Sequence, residues 1–229
     1  MSKQQTSRFR NEWKHEINYC DLLILRQRLT AIAHLDPHAV DGVYRIRSLY
    51  FDNIRDKALR EKIDGVNRRE KFRIRFYNRN LSQIHLEKKS KLNGLCQKES
   101  TDLTLAQTQA IVNGDYEWMP AFHDPLITEL YSKILSQGLQ PKTVVDYTRE
   151  PFVYAPGNVR ITMDYNIRTG LWCTDFLNLD LVTIPAGDAP IILEVKWDDF
   201  LPDIIRDAVS LESRRAGAFS KYASCRIYG

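Results

Sequence analysis

Polar and apolar residues alternate through much of this chain. In Lys71-Phe72-Arg73-Ile74-Arg75-Phe76 one face carries Lys71, Arg73 and Arg75, and the other carries Phe72, Ile74 and Phe76. This period of two predicts a strand over residues 70–78, and residues 83–91 repeat it with His85, Glu87, Lys89 and Lys91 together. Asn93-Gly94 predicts a tight hairpin turn, with residues 95–100 returning. Further strands are expected over residues 11–18, 44–51, 142–154, 159–164 and 191–198, and weaker ones near 167–174 and 180–184. A period near 3.6 predicts helices over residues 21–35, 55–63, 105–112 and 124–136, and the chain after residue 198 reads as mostly helical. Residues 1–10 are polar and expected to be loose. No linker divides the rest, so residues 11–229 are expected to form one α+β domain.

Composition narrows the class. Hydrophobic residues are 43% and charged residues 27%, which excludes wholesale disorder and a fibre. No apolar run approaches the ~18 residues of a membrane span, and the N-terminus follows no signal-peptide plan, so a cytoplasmic protein is expected. The formal net charge of +4 is too mild to demand a nucleic-acid partner. Cys20, Cys96, Cys173 and Cys225 are widely spaced and form no CxxC pair, which speaks against a disulfide framework or a zinc site.

The alternating faces carry an unusual density of charge. Arg160, Thr162 and Asp164 share a face, as do Glu194, Lys196 and Asp198. Two architectures fit. One is an ordinary sheet with a wet outer side. The other is an antiparallel barrel of inverted polarity, whose charged faces line a tunnel and whose apolar faces point outward under helices. Such a lumen is tolerable only if it stays hydrated or receives a matching ligand. Arg and Lys there call for a polyanion, and the Glu among them for a hard divalent cation bridging to phosphate oxygens.

Familiar catalytic motifs are missing. There is no GxxxxGK[ST], no DFG or HRD and no GxSxG. His15-Glu16 begins like HExxH, but Tyr19 stands where the second His belongs. His34 and His38 are separated by the helix-breaking Pro37.

Seven segments in order resemble the VTC domain, the polyphosphate polymerase domain of the vacuolar transporter chaperone family within the triphosphate tunnel metalloenzymes. They are Arg47-Ser48-Leu49-Tyr50-Phe51-Asp52-Asn53, Lys62-Ile63-Asp64-Gly65, Lys71-Phe72-Arg73-Ile74-Arg75-Phe76-Tyr77, Leu86-Glu87-Lys88-Lys89, Arg160-Ile161-Thr162-Met163-Asp164, Leu193-Glu194-Val195-Lys196 and Ser220-Lys221-Tyr222. The resemblance runs from about residue 9 to the C-terminus. It implies an antiparallel tunnel barrel with a charged lumen. It also implies transfer of the γ-phosphate of ATP to a growing polyphosphate chain with Mn²⁺, or Mg²⁺ in its place. Lys14, Arg73, Arg75, Lys89, Arg149, Arg160, Lys196 and Lys221 would hold phosphates, and Glu194 the metal, with Glu12, Glu16 and Glu87 beside it. ATP and inorganic polyphosphate are the implied partners, and a membrane protein that exports product is compatible with them. The same tunnel can hydrolyse a triphosphate, or bind polyanions without turnover, and the sequence leaves these open. One departure is Ala218, where the family pattern has a lysine; Arg214 or Arg215 is the candidate replacement. The regulatory SPX domain and membrane helices of the fungal subunits have no counterpart, so inositol-phosphate control through a fused domain is not expected.

Overall fold

The computed structural model describes residues 10–188, 190–211, 214 and 216–226. The segment expected to be loose therefore lies outside the described residues except for Arg10. Eight long strands form one antiparallel sheet: β1 (Asn11–Ile17), β3 (Tyr44–Asp52), β4 (Arg69–Tyr77), β5 (Ile84–Leu92), β6 (Leu95–Leu103), β7 (Gln140–Tyr154), β8 (Val159–Thr169) and β10 (Ile191–Trp197). Their order is β1-β10-β8-β7-β3-β4-β5-β6. Short β2 (His34–Leu35) pairs with β7, and β9 (Ile184–Pro185) with β8. The sheet curls until its edges meet, where Arg10 and Cys96 exchange backbone hydrogen bonds of 3.2 and 3.5 Å.

Register fixes which side chains share a face, because a slip of one residue would reverse every side chain. Arg73 lies opposite Glu87 and Tyr50, and Arg75 opposite His85 and Ser48. Glu194 lies between Lys14 and Thr162, and Lys196 between Glu12 and Arg160. All of these except Ser48 line one central cavity. Their strand neighbours point outward into two apolar layers. Phe72, Ile74 and Phe76 pack with residues of α3 (Leu105–Val112) and α4 (Pro125–Gln137). Ile161, Met163, Leu193 and Val195 pack with Leu22, Leu25 and Leu29 of α1 (Tyr19–Ile32) and Ile205 of α5 (Asp203–Val209). The polarity is therefore inverted, as expected: charge inside, grease outside under helices.

The interior is not wholly polar. Helix α6 (Lys221–Arg226) sends Tyr222 and Cys225 into a third apolar cluster with Tyr50, Val145 and Ile167. The Tyr222 hydroxyl donates to Asp52 at 2.8 Å, so the plug is anchored by a buried polar bond. The plug confines the polar cavity to the remaining part of the lumen.

Local signals explain the boundaries. Asn18 caps α1 with a reciprocal bond to Asp21, and Thr104 and Gln107 cap α3 in the same way. Asn93 and Gly94 both take positive φ, as a two-residue hairpin turn requires. Other expectations need correction. The expected strand over 167–174 is the end of β8, which stops at Thr169, and only Ile184–Pro185 of the next region pairs. Helix α1 ends at Ile32, after which His34 and Leu35 join β7. The C-terminal region is less helical than expected: described helix is limited to α5 and α6. Among the described residues no helix is long and apolar enough to cross a membrane.

Candidate active site

The cavity has a volume of about 670 Å³. Eleven cationic side chains line it against five carboxylates, an excess larger than the net charge of the entire chain. Such surplus charge inside a barrel is costly unless something compensates it.

Buried carboxylates and hydroxyls hold the cations in place. Glu87, 2% exposed, accepts from Arg73 Nε at 2.7 Å and from Lys98 at 2.6 Å, and lies 3.7 Å from Arg75 Nη1. Arg73 also donates to the Tyr50 hydroxyl at 2.9 Å. Arg75 donates to Ser48 Oγ at 3.1 Å and to the Tyr147 hydroxyl at 2.9 Å. Burial alone would raise the Glu87 carboxyl, but Arg73, Arg75 and Lys98 overcome it and hold it well below the usual carboxylate range. Across the lumen, Asp164 receives Arg149 in a bidentate pair at 2.6 and 2.8 Å and Lys221 at 2.5 Å. Burial opposes ionisation there too, and Arg149 and Lys221 depress that carboxyl nonetheless. These carboxylates aim cations into the cavity without neutralising the whole set.

Glu12 and Glu194 form a second centre. Lys14 bridges them at 3.1 Å to each, Lys196 lies 2.5 Å from Glu194 and 3.6 Å from Glu12, and Lys89 donates to Glu12 at 2.8 Å. Burial and mutual repulsion push the Glu12 carboxyl up, but Lys14, Lys89 and Lys196 hold it low. Beside them the hydroxyl of Thr162, a residue 2% exposed, and Nε of Arg160 have no hydrogen-bond partner among the described residues. Among the described residues no group of three or more His, Cys, Asp or Glu is gathered as a metal cage. Two carboxylates fit a Mg²⁺- or Mn²⁺-type ion that takes its remaining ligands from water and substrate phosphate. They do not fit a structural zinc site.

Lys14, Arg73, Arg75, Lys89, Arg149, Arg160, Lys196 and Lys221 all line this cavity, together with Glu12, Glu87 and Glu194. Arg160 is partly exposed, with 39% of its side chain accessible, and lies 3.2 Å from Asp36. Glu16 does not join them. It is exposed and outside the lining, because alternation along β1 fixes its face but places it too far along the strand. Glu87 is close to the lumen, yet three cations already engage it. Arg214 bonds Asp21 at 2.8 Å and is absent from the lining, so it does not replace the lysine missing at Ala218; Arg215 lies outside the described residues.

Sequence reasoning passed over Lys71, Tyr50, Lys98 and Thr162. Lys71 shares its face with Arg73, a signal present in the alternation. Its ammonium lies 5.4 Å from the centre of the Tyr50 ring and 3.5 Å from Ser220 Oγ, with no carboxylate partner among the described residues. Burial together with Lys89, Lys14 and Arg73 pulls it down to about 7, although Tyr50 resists. Tyr50 looks like a core residue from sequence, and its ring is buried, but its hydroxyl serves Arg73.

Comparison with known proteins gives one family and several folds. The family model described as the VTC domain matches residues 9–227. No match is found among the curated proteins. A crystal structure from Bacillus halodurans, proposed by its name to be an adenylate cyclase, is similar at 11% identity with a TM-score of 0.53, over 83% of this chain and 81% of that one. The PH1012 protein from Pyrococcus horikoshii OT3 is similar at 12% identity with a TM-score of 0.50, over 95% of this chain and 99% of that one. At such identities the two structures speak for the shared fold alone.

Proposed function

Since the chain belongs to the VTC domain family, we propose that it is a metal-dependent polyphosphate polymerase that moves the γ-phosphate of ATP onto a growing chain of phosphates. One observation carries this reading. Arg73, Arg75, Arg149, Lys14 and Lys221 reach a single cavity from four elements, in positive excess and beside the Thr162 hydroxyl, which has no partner among the described residues. A linear triphosphate supplies both the charge and the acceptors that this lining lacks.

Phosphoryl transfer depends on positioning and charge neutralisation more than on covalent help from the protein. The planar arginines suit bidentate contact with phosphate oxygens, and their carboxylate partners fix their direction in advance. Lysines add charge without such directionality. Glu194 with Glu12 would hold a divalent ion, which when bound neutralises phosphate oxygens as charge builds up on them. The attacking terminal phosphate is already ionised, so no general base is needed. His85, which lines the cavity 2.7 Å from Asp102, is then not required as a base.

The test is incubation of purified protein with ATP and Mn²⁺, followed by separation of products by chain length. Long-chain polyphosphate supports the proposal. Release of orthophosphate alone assigns a triphosphatase instead, and retained tripolyphosphate with no product assigns a binding module. Glu194→Gln should abolish turnover while leaving tripolyphosphate affinity within a few-fold of wild type.

A further inference from the structure

A second cavity, of about 830 Å³, adjoins the first. It lies among α2 (Lys57–Ile63), the start of β4, the β5–β6 hairpin and the start of α6. Phe219 and Ser220 line both cavities. Its charged residues are all cationic: Lys62, Arg69 and Lys91, each partly buried. Among the described residues none of the three has a carboxylate partner. Lys62 donates to the backbone carbonyl of Ala218 at 2.6 Å, and Arg69 donates to that of Val66.

The placement is electrostatically unfavourable in the free protein. Arg69 stands directly opposite Lys91 across β4 and β5, and two residues further along the same face Lys71 stands opposite Lys89. Like charges in directly opposed positions weaken a sheet. Lys62 lies within the field of Arg69, Lys14 and Lys91, which with burial depresses its proton affinity. The cationic row thus continues from the lumen, past Lys71 and Ser220, into this bay. It also brings a lysine to the backbone of Ala218, where the sequence lacks one.

We propose that Lys62, Arg69 and Lys91 form a separate subsite for a linear polyphosphate chain, gripping the part that extends beyond the units held in the lumen. This rests on the lumen holding a phosphate chain, as proposed above. An anion that engages both cavities must be thin, linear and charged at every repeat. Tripolyphosphate held in the lumen would leave the bay unfilled, so the bay makes affinity depend on chain length.

The experiment compares the full chain with the Lys62→Gln/Arg69→Gln/Lys91→Gln variant at physiological salt, using tripolyphosphate and a fractionated long-chain polyphosphate as probes. We expect tripolyphosphate affinity to change by less than about threefold, because none of the three residues lines the lumen. Long-chain affinity should fall at least about tenfold, and the slope of its logarithm against log salt by about 2, as expected for three lost phosphate contacts. An unchanged melting temperature confirms the fold, and removal of opposed like charges favours that result. Equal loss for both probes overturns the proposal, since the three residues then belong to the lumen. Undiminished preference for the long chain overturns it as well. Tighter, bay-dependent binding of a single-stranded oligonucleotide than of polyphosphate reassigns the bay to nucleic acid and likewise overturns it. The assay with ATP is separate: absence of polymer product there defeats the polymerase assignment, while the binding pattern still decides the bay.

Discussion

Replacing Glu87 by Gln tests how the lumen is held together. The carboxylate is buried and engages Arg73 and Lys98 at 2.6 Å, with Arg75 at 3.7 Å. Gln keeps the size but removes the charge, leaving two buried guanidinium groups facing each other. Breaking a buried ion pair from one side costs roughly 3–5 kcal/mol, and the polar cavity that Glu87 lines, with the half-exposed Lys98 beside it, places the expected loss near the lower end. For a chain of this size each kcal/mol shifts melting by about 2–4 °C, so the variant should melt about 6–12 °C lower. Tripolyphosphate supplies negative charge at the same place. Its addition should raise the melting temperature of Glu87→Gln more than that of the wild type. Thermal melts with and without tripolyphosphate measure both effects. The wild-type contribution has a defined pH dependence. The Glu87 carboxyl is depressed in the fold, so its stabilisation is complete above the ordinary carboxylate range and is lost as pH falls through the lowered value. The variant should lack that part of the acid sensitivity. A loss below about 1 kcal/mol, or a smaller tripolyphosphate response than wild type, would refute the assigned role.

Other perturbations probe single contacts. Lys71, pulled down to about 7, should take up a proton when tripolyphosphate binds above that pH; affinity should weaken as pH rises through about 7–9, and Lys71→Met should lose this dependence, as calorimetry in buffers of different ionisation enthalpy will show. Thr162→Val keeps the shape but removes the unpartnered hydroxyl, so the free fold should be unaffected or slightly stabilised while tripolyphosphate affinity falls about 5- to 10-fold; equal affinity in titrations would remove that contact. Glu16→Gln should leave turnover and metal dependence unchanged, and a loss of either in the ATP assay would return Glu16 to the site. Gly157 has φ +71° and an added Cβ would lie 2.4 Å from the Phe200 carbonyl oxygen, so Gly157→Ala should lower the melting temperature by several degrees; an unchanged melt contradicts that packing.

Strand alternation made most of the barrel legible. Phe72, Ile74 and Phe76 against Lys71, Arg73 and Arg75 define two faces from chemistry alone, and the structure places them on opposite sides of the wall. What alternation does not encode is depth along a strand. Glu12 and Glu16 share a face on β1, yet only Glu12 reaches the cavity, because the lumen's extent depends on neighbouring strands and on α6. The α6 plug was equally hidden: Tyr222 and Cys225 on a short helix carry no local sign that they enter a barrel. Asp164 reads as one more polar residue of β8, but Arg149 is its cross-strand partner on β7 and Lys221 reaches it from α6. Lys71 was the recoverable omission, since its face was already known. Lys62 was not recoverable in that way, because its approach to Ala218 depends on contacts between distant parts of the chain.

The most direct measurement is calorimetric titration of the protein with tripolyphosphate over a series of salt concentrations, beside the Arg73→Gln/Arg75→Gln variant. We expect one anion per chain, affinity that weakens steeply with salt, and at least a hundredfold loss in the variant, which removes two charge-assisted contacts worth roughly 1.5–3 kcal/mol each. Absence of binding at low ionic strength, or equal binding by a folded variant, would contradict an anion-receiving lumen.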